Sequence, residues 1–206
     1  MQKAREKTVF VCVGRIPDAV FFAPVFPKER QQEIDSCKNE RVRREKFCAW
    51  KLLEYALQEV YGKRIEDCAF QKLSSGKWTA QDCHFSLTHA GSVVAVAVAE
   101  DVVGIDVERI KETLLRLEDK FLNERERTEY ARLTAEDKEK YLLKKWTQKE
   151  SIFKAYGQSG FVPREIDTDG YPTQTREIVM QGETFFLSVA GDEINDVRVK
   201  FVEEYL

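Results

Sequence analysis

A chain of 206 residues, 43% hydrophobic and 33% charged, is long enough for one large domain or two small ones sharing a core, and its composition is that of an ordinary soluble globular protein. The formal net charge of −3 gives no general attraction to nucleic acid or to an anionic membrane, and no apolar run approaches the roughly 20 residues needed to cross a bilayer. Five cysteines (Cys12, Cys37, Cys48, Cys68 and Cys83) without a C-x-x-C pair read as thiols in a reducing compartment, which excludes a zinc knuckle or a disulfide framework.

In chain order, the charged first seven residues lead into Thr8–Val13, a short strand of β-branched and aromatic residues. That apolar stretch is too short for a signal peptide, so the cytoplasm is the expected location. Residues 41–61 repeat Ala49, Leu52, Leu53, Ala56, Leu57 and Val60 at helical spacing, with Gly62 as terminator. Ser74-Ser75-Gly76 marks a loop. Two strands follow, His84–Thr88 and Val93–Ala99, around an Ala90-Gly91-Ser92 turn. The second is apolar on both faces and is expected at the centre of a sheet. Glu100-Asp101 turns the chain into Val102–Glu108, predicting a hairpin between that strand and Val93–Ala99. Residues 113–133 and 136–156 read as helices, the latter ending near Gly157. Arg176–Met180, a Gln181-Gly182 turn and Thr184–Ala190 alternate as strands, as do Val197, Val199 and Phe201. A long helix and several strands in each half predict an α+β fold of two packed halves, residues 1–103 and 104–206.

Three stretches carry chemistry. Along Val103–Glu108, Val103, Ile105 and Val107 face one way, and Gly104, Asp106 and Glu108 the other. The two carboxylates lie roughly 6–7 Å apart on one face and call for a cation if they are buried. An all-oxygen set favours a hard ion such as Mg²⁺ near phosphate, while a solvent-facing polar edge is the alternative. Gly104 leaves room for a close approach to the backbone. In the second stretch, Leu143, Trp146 and Phe153 form an apolar helical stripe with Glu150 projecting from its side. Glu150 is therefore a partly buried carboxylate in need of a metal or of Lys154 one turn on. In the third, His89 ends a strand beside a glycine turn with Thr88 next to it. Two basic groups, Lys38, Arg41, Arg43, Arg44, Lys46 and Lys51, and Lys138, Lys140, Lys144, Lys145 and Lys149, read either as solvated helix faces or as charged surfaces.

Jointly, Gly104-Ile105-Asp106-Val107-Glu108 and Trp146-Thr147-Gln148-Lys149-Glu150-Ser151-Ile152-Phe153-Lys154 resemble the paired motif of 4′-phosphopantetheinyl transferases. Phe85-Ser86-Leu87-Thr88-His89 resembles that family's strand ending in Ser-His or Thr-His, and Gly76-Lys77 its Gly-Lys-Pro loop, with Trp78 in place of the proline. Order and spacing agree over about residues 20–165, and the length suits the two-half type that activates peptide and polyketide synthetases.

The resemblance implies two similar halves about a pseudo-twofold axis, with coenzyme A in the cleft between them. It implies that Asp106, Glu108 and Glu150 hold Mg²⁺, or Mn²⁺ in its place, and that Lys154 neutralises phosphate oxygens. His89, Thr88 and Lys77 would contact the coenzyme, with Arg44, Lys46 and Arg30 as further phosphate contacts. Glu150, directly or through a water, would be the general base, with Glu126 as the alternative. The implied reaction moves the phosphopantetheine arm of coenzyme A to a serine of an apo acyl or peptidyl carrier protein and releases adenosine 3′,5′-bisphosphate. No nucleic acid or membrane partner is implied, and a monomer is expected because both halves of the site lie in one chain. A Mg²⁺-dependent nucleotide pyrophosphohydrolase and a non-catalytic binder of coenzyme A or carrier domains are the rival readings.

Overall fold

The structure is a computed structural model and describes residues 7–109, 118–157, 160–192 and 194–206. Its elements are β1 (Thr8–Arg15), α1 (Lys28–Asp35), α2 (Glu40–Tyr61), β2 (Phe70–Lys72), β3 (Trp78–Ala80), β4 (His84–Ala90), β5 (Val93–Ala99), β6 (Val103–Arg109), α3 (Glu118–Phe121), α4 (Glu124–Ala131), α5 (Ala135–Tyr156), β7 (Thr173–Met180), β8 (Glu183–Gly191) and β9 (Asp196–Val202).

These form a mixed α and β architecture around two sheets, ordered β4-β5-β1-β9 and β6-β8-β7, with β2 and β3 as a separate small hairpin. The alternation of β5 explains the layering. Val94, Val96 and Val98 pack towards α2, with Trp50, Leu53 and Leu57. Val93, Ala95, Ala97 and Ala99 pack against Val103, Ile105 and Val107 of β6 and against Phe185, Leu187 and Val189 of β8. The sheets therefore stack face to face, α2 covers the outer face of the first and α5 packs on β6 and β8 of the second.

Both long helices stop where the sequence tells them to. Asn39 caps α2 by accepting from the Val42 N–H, and Gly62 closes it in the left-handed conformation at φ 63°. Thr134 caps α5 through the Asp137 N–H. The Gln181-Gly182 turn has positive φ at both residues, as a tight β7–β8 hairpin requires.

Two expectations are corrected. β5 and β6 do not form a hairpin: β5 is sandwiched between β4 and β1, while β6 pairs antiparallel with β8 in the other sheet. The short Glu100-Asp101 connection passes the chain between layers instead of reversing it within one. The helix read over residues 113–133 is, from residue 118 on, two short helices, and residues 110–117 lie outside the described residues. Asn123 breaks it by opening a capping box with Glu126. β9, in turn, pairs parallel with β1, so the last strand of the chain completes the first sheet.

The five cysteines are free, and Cys12, Cys48, Cys68 and Cys83 are buried. Among the described residues, no helix is long and apolar enough to cross a membrane.

Candidate active site

The seam between the sheets positions the central carboxylate. β6 lies at the edge of its sheet, and hydroxyls of β4 satisfy its outward N–H groups. Ile105 N–H donates to Ser86 Oγ at 3.1 Å and Val107 N–H to Thr88 Oγ1 at 3.2 Å. Thr88 then donates its own proton to Asp106 Oδ1 at 3.0 Å. On the far side α5 lies directly on β6, because Gly104 has no Cβ: one built there would stand 2.0 Å from the Ser151 carbonyl oxygen. The close approach that Gly104 permits is thus that of the helix carrying Glu150 and Lys154.

Lys154 Nζ donates to the same Asp106 Oδ1 at 2.7 Å, so the lysine's direct partner is Asp106 across the seam. The second oxygen, Asp106 Oδ2, is buried without a hydrogen-bond partner. Glu150 is pushed up to about 7, first by burial and then by Asp106 and Glu108, with Lys154 opposing. Three carboxylates and Lys154 therefore share one electrostatic neighbourhood.

Among the described residues, no group of three His, Cys, Asp or Glu side chains is gathered at metal-ligand spacing. Asp106, Glu108 and Glu150 are thus not a closed cage. The donor set nonetheless fits Mg²⁺, which keeps several waters and takes one or two carboxylates together with substrate phosphates. Asp106 Oδ2, buried with no hydrogen-bond partner among the described residues, and Glu150, whose ionised form burial disfavours, are the groups that such an ion would satisfy.

Beside this cluster runs a cleft of about 530 Å³. Lys77, Trp78, Phe85, Leu87, Phe153 and Lys154 line it. Two cations and an apolar wall suit a ligand with phosphates at one end and a ring or chain along its length.

A family profile described as the 4′-phosphopantetheinyl transferase superfamily matches residues 102–202, the stretch that holds Asp106, Glu108, Glu150 and Lys154. The chain is 31% identical over 131 residues to the 4′-phosphopantetheinyl transferase psf-1 of Bacillus pumilus, covering 59% of this chain and 56% of that protein. It is 28% identical over 144 residues to the 4′-phosphopantetheinyl transferase gsp of Aneurinibacillus migulanus, covering 69% and 61%. A third relative, the 4′-phosphopantetheinyl transferase Sfp of Bacillus subtilis strain 168, is 34% identical over 85 residues, 40% of this chain and 37% of that one. Residues 102–202, about half of the chain, belong to the 4′-phosphopantetheinyl transferase superfamily. It spans little more than half the length of the first two curated relatives it matches.

The remaining expected site residues divide. His89, half exposed, stands 3.7 Å from Glu45 Oε2, and Arg41 holds the other oxygen of Glu45 at 2.9 Å. Burial keeps the imidazole below its usual value, although Glu45, Glu108 and Asp106 favour its charged form. Arg44 donates to the backbone oxygens of Pro17 and Asp18 and, with Arg41 and Arg109, lines a separate cavity of about 330 Å³. Lys46 is half-buried on the same helix. Lys77 donates to the Lys154 carbonyl, and burial lowers its pKa.

Three expected site residues are engaged within the protein. Thr88, expected near the coenzyme, donates to Asp106 and so positions the carboxylate. Arg30 is buried, bonded to Glu33 at 2.7 Å and laid over the Trp50 ring at 4.9 Å, which makes it a packing residue and not a phosphate contact. Glu126 is fully buried, with Lys149 Nζ at 2.8 Å, Lys145 Nζ at 3.9 Å, and hydrogen bonds from Asn123 N–H and Thr168 Oγ1. A carboxylate so enclosed cannot reach a substrate hydroxyl. Lys145 and Lys149 accordingly leave the second basic group, which keeps Lys138, Lys140 and Lys144 outside.

Sequence reasoning passed over Ser86 and Glu45. Ser86 was findable, because it shares a strand face with Thr88 two residues on. Glu45 has only the helical Arg41 spacing to mark it, a signal common on any exposed helix.

Proposed function

We propose that the chain transfers the 4′-phosphopantetheine arm of coenzyme A to a serine of an apo acyl or peptidyl carrier protein, with Mg²⁺ held by Asp106, Glu108 and Glu150. The observation that carries this reading is the buried Asp106 Oδ2, without a hydrogen-bond partner among the described residues, on a carboxylate bonded to Lys154, which lines the cleft together with Lys77. When bound, the ion supplies charge neutralisation at the pyrophosphate. Lys154 and Lys77 add positive charge along the cleft, and His89 would receive the nucleotide's remaining phosphate.

The step asks for positioning more than covalent help from the protein. The carrier's serine oxygen forms a bond to the phosphorus next to pantetheine. The bond from that phosphorus to the bridging oxygen breaks, and adenosine 3′,5′-bisphosphate leaves with the electron pair. Glu150 takes the serine's proton. In the metal-free protein burial, Asp106 and Glu108 raise the proton affinity of Glu150, which favours the role of base, and a bound cation would oppose that rise.

The two 22-residue helices, α2 and α5, each laid on strands of one sheet, support a reading as two related halves with the cleft between β4 and α5 at their junction. A reaction that draws on coenzyme A suits the cytoplasm, and the single-chain site suits a monomer.

The test is the release of adenosine 3′,5′-bisphosphate with and without an apo carrier. Release that requires both carrier and Mg²⁺ supports the transferase. Release without carrier identifies a pyrophosphohydrolase, and coenzyme A binding with no release identifies a binding protein.

A further inference from the structure

Glu33 on α1 gathers donors from three elements beneath the loop that lines the cleft. Arg30 Nη1 donates from the same helix at 2.7 Å, Trp78 Nε1 from β3 at 3.1 Å, and the Lys72 ammonium from β2. Burial alone would push this carboxyl up, but the hydrogen bonds from Lys72, Arg30 and Trp78 bring it down to about 2. Below it, Trp50 meets Trp78 at 5.5 Å with the rings steeply inclined.

The β2–β3 hairpin pairs only three residues from each strand, too few to hold its shape unaided. Glu33 grips one side chain from each strand. At the hairpin's tip, Leu73 N–H donates to the Lys77 carbonyl and Gly76 N–H to the Leu73 carbonyl, both at 2.8 Å. Lys77 then reaches across to the Lys154 carbonyl on α5. The hairpin is thus a strap from α1 to α5, with the cleft along its inner side. Trp78 stands where the resembling motif has proline, so the loop gains no fixed φ from that residue and takes its restraint from the indole contact.

We propose that Glu33 is a positioning residue for coenzyme A binding: by tying both strands of the hairpin to α1 it fixes Gly76-Lys77 over the cleft, acting through the Trp78 N–H and Lys72. This rests on the reading of the cleft as the coenzyme site. Glu33 itself touches no substrate.

The test compares wild type, Glu33→Gln, Trp78→Phe, Lys77→Ala and the Glu33→Gln/Lys77→Ala pair by amide hydrogen exchange, coenzyme A titration and steady-state kinetics. Glu33→Gln is expected to speed exchange at Leu73 and Gly76 by about tenfold, as for the loss of one or two hydrogen bonds. It should raise Kd and KM for coenzyme A by about three- to thirty-fold, with kcat and the carrier KM within about twofold. Trp78→Phe, which keeps a ring and loses the donor, should move the same quantities in the same direction. In the Lys77→Ala background the Glu33→Gln effect should shrink below about twofold, because both act through one loop.

Unchanged exchange at 73–77 overturns the anchoring, whatever the protein binds. A loosened loop with unaltered coenzyme affinity overturns the link to binding. Loss of kcat at constant KM, tracking a lower Tm, marks a merely structural role and overturns it as well. Wild-type protein that binds no coenzyme A sinks the functional reading and the coenzyme role of Glu33 with it, while exchange still decides the anchoring.

Discussion

Glu150 holds its proton more tightly in the folded chain than in the unfolded one, because burial, Asp106 and Glu108 oppose its ionisation and lift it from 4.5 to about 7. Between those two values the folded state binds more protons, so without metal the protein loses stability as pH rises through that window, and the full penalty is present above it. Glu150→Gln removes the penalty. Metal-free variant and wild type should be equally affected at pH 4, and the variant should gain on the order of 1–3 kcal/mol relative to wild type by pH 8, read from urea unfolding at both values. A difference that does not change with pH would contradict the environment assigned to Glu150. At this scale, the sequence motifs located Asp106, Glu108, Glu150 and Lys154, because each sits at a spacing that a strand face or a helix turn makes meaningful. They did not reveal that Lys154 bonds Asp106. A lysine four residues after a glutamate looks the same whether its partner is on its own helix or across a seam.

The seat of α5 on β6 depends on one missing side chain. Gly104→Ala would drive a Cβ into the Ser151 carbonyl and the Ala155 backbone, neither of which can yield without moving the helix. A loss of more than about 3 kcal/mol in denaturant unfolding is expected, together with loss of transfer. Near-normal stability would mean that the helix sits farther out than described. The other end of α5 is tied by Lys149, fully buried against Glu126 and donating to the Pro163 and Ile166 carbonyls at 2.9 and 2.7 Å. Lys149→Met leaves buried Glu126 with only Lys145, at 3.9 Å, as a counter-charge and should cost about 3 kcal/mol, whereas Lys149→Met with Glu126→Gln should cost less than Lys149→Met alone. An additive double variant would show that the two side chains do not interact. The helices themselves were legible, since Asn39, Gly62 and Thr134 are cap residues at their ends. The break in residues 113–133 was also written, as Asn123 three residues before Glu126, but helical periodicity on either side masked it.

For the whole molecule, the partner of each strand was the least legible property. β5 and β6 are consecutive apolar strands joined by a short turn, which in sequence is indistinguishable from a hairpin. What separates them is that both faces of β5 are needed, one for α2 and one for the second sheet. The two sheets meet at β4 and β6 through Ser86 and Thr88. At β7 and β9 they meet through Gln174 on the Ile194 carbonyl and Arg176 on the Val197 carbonyl. The first of these seams carries Asp106. Under the proposed function, the exposed Lys140 and Lys144 on α5 would attract an acidic carrier. Raising salt should therefore increase the KM for carrier protein more than that for coenzyme A. Equal sensitivity of the two constants would remove the steering. The central claim is tested most directly by the intact mass of an apo carrier protein after incubation with this chain, coenzyme A and Mg²⁺. A gain of one phosphopantetheine arm, absent with Asp106→Ala or after chelation, is the predicted result. A carrier of unchanged mass across acyl, peptidyl and polyketide types, from protein that still binds coenzyme A, would contradict it.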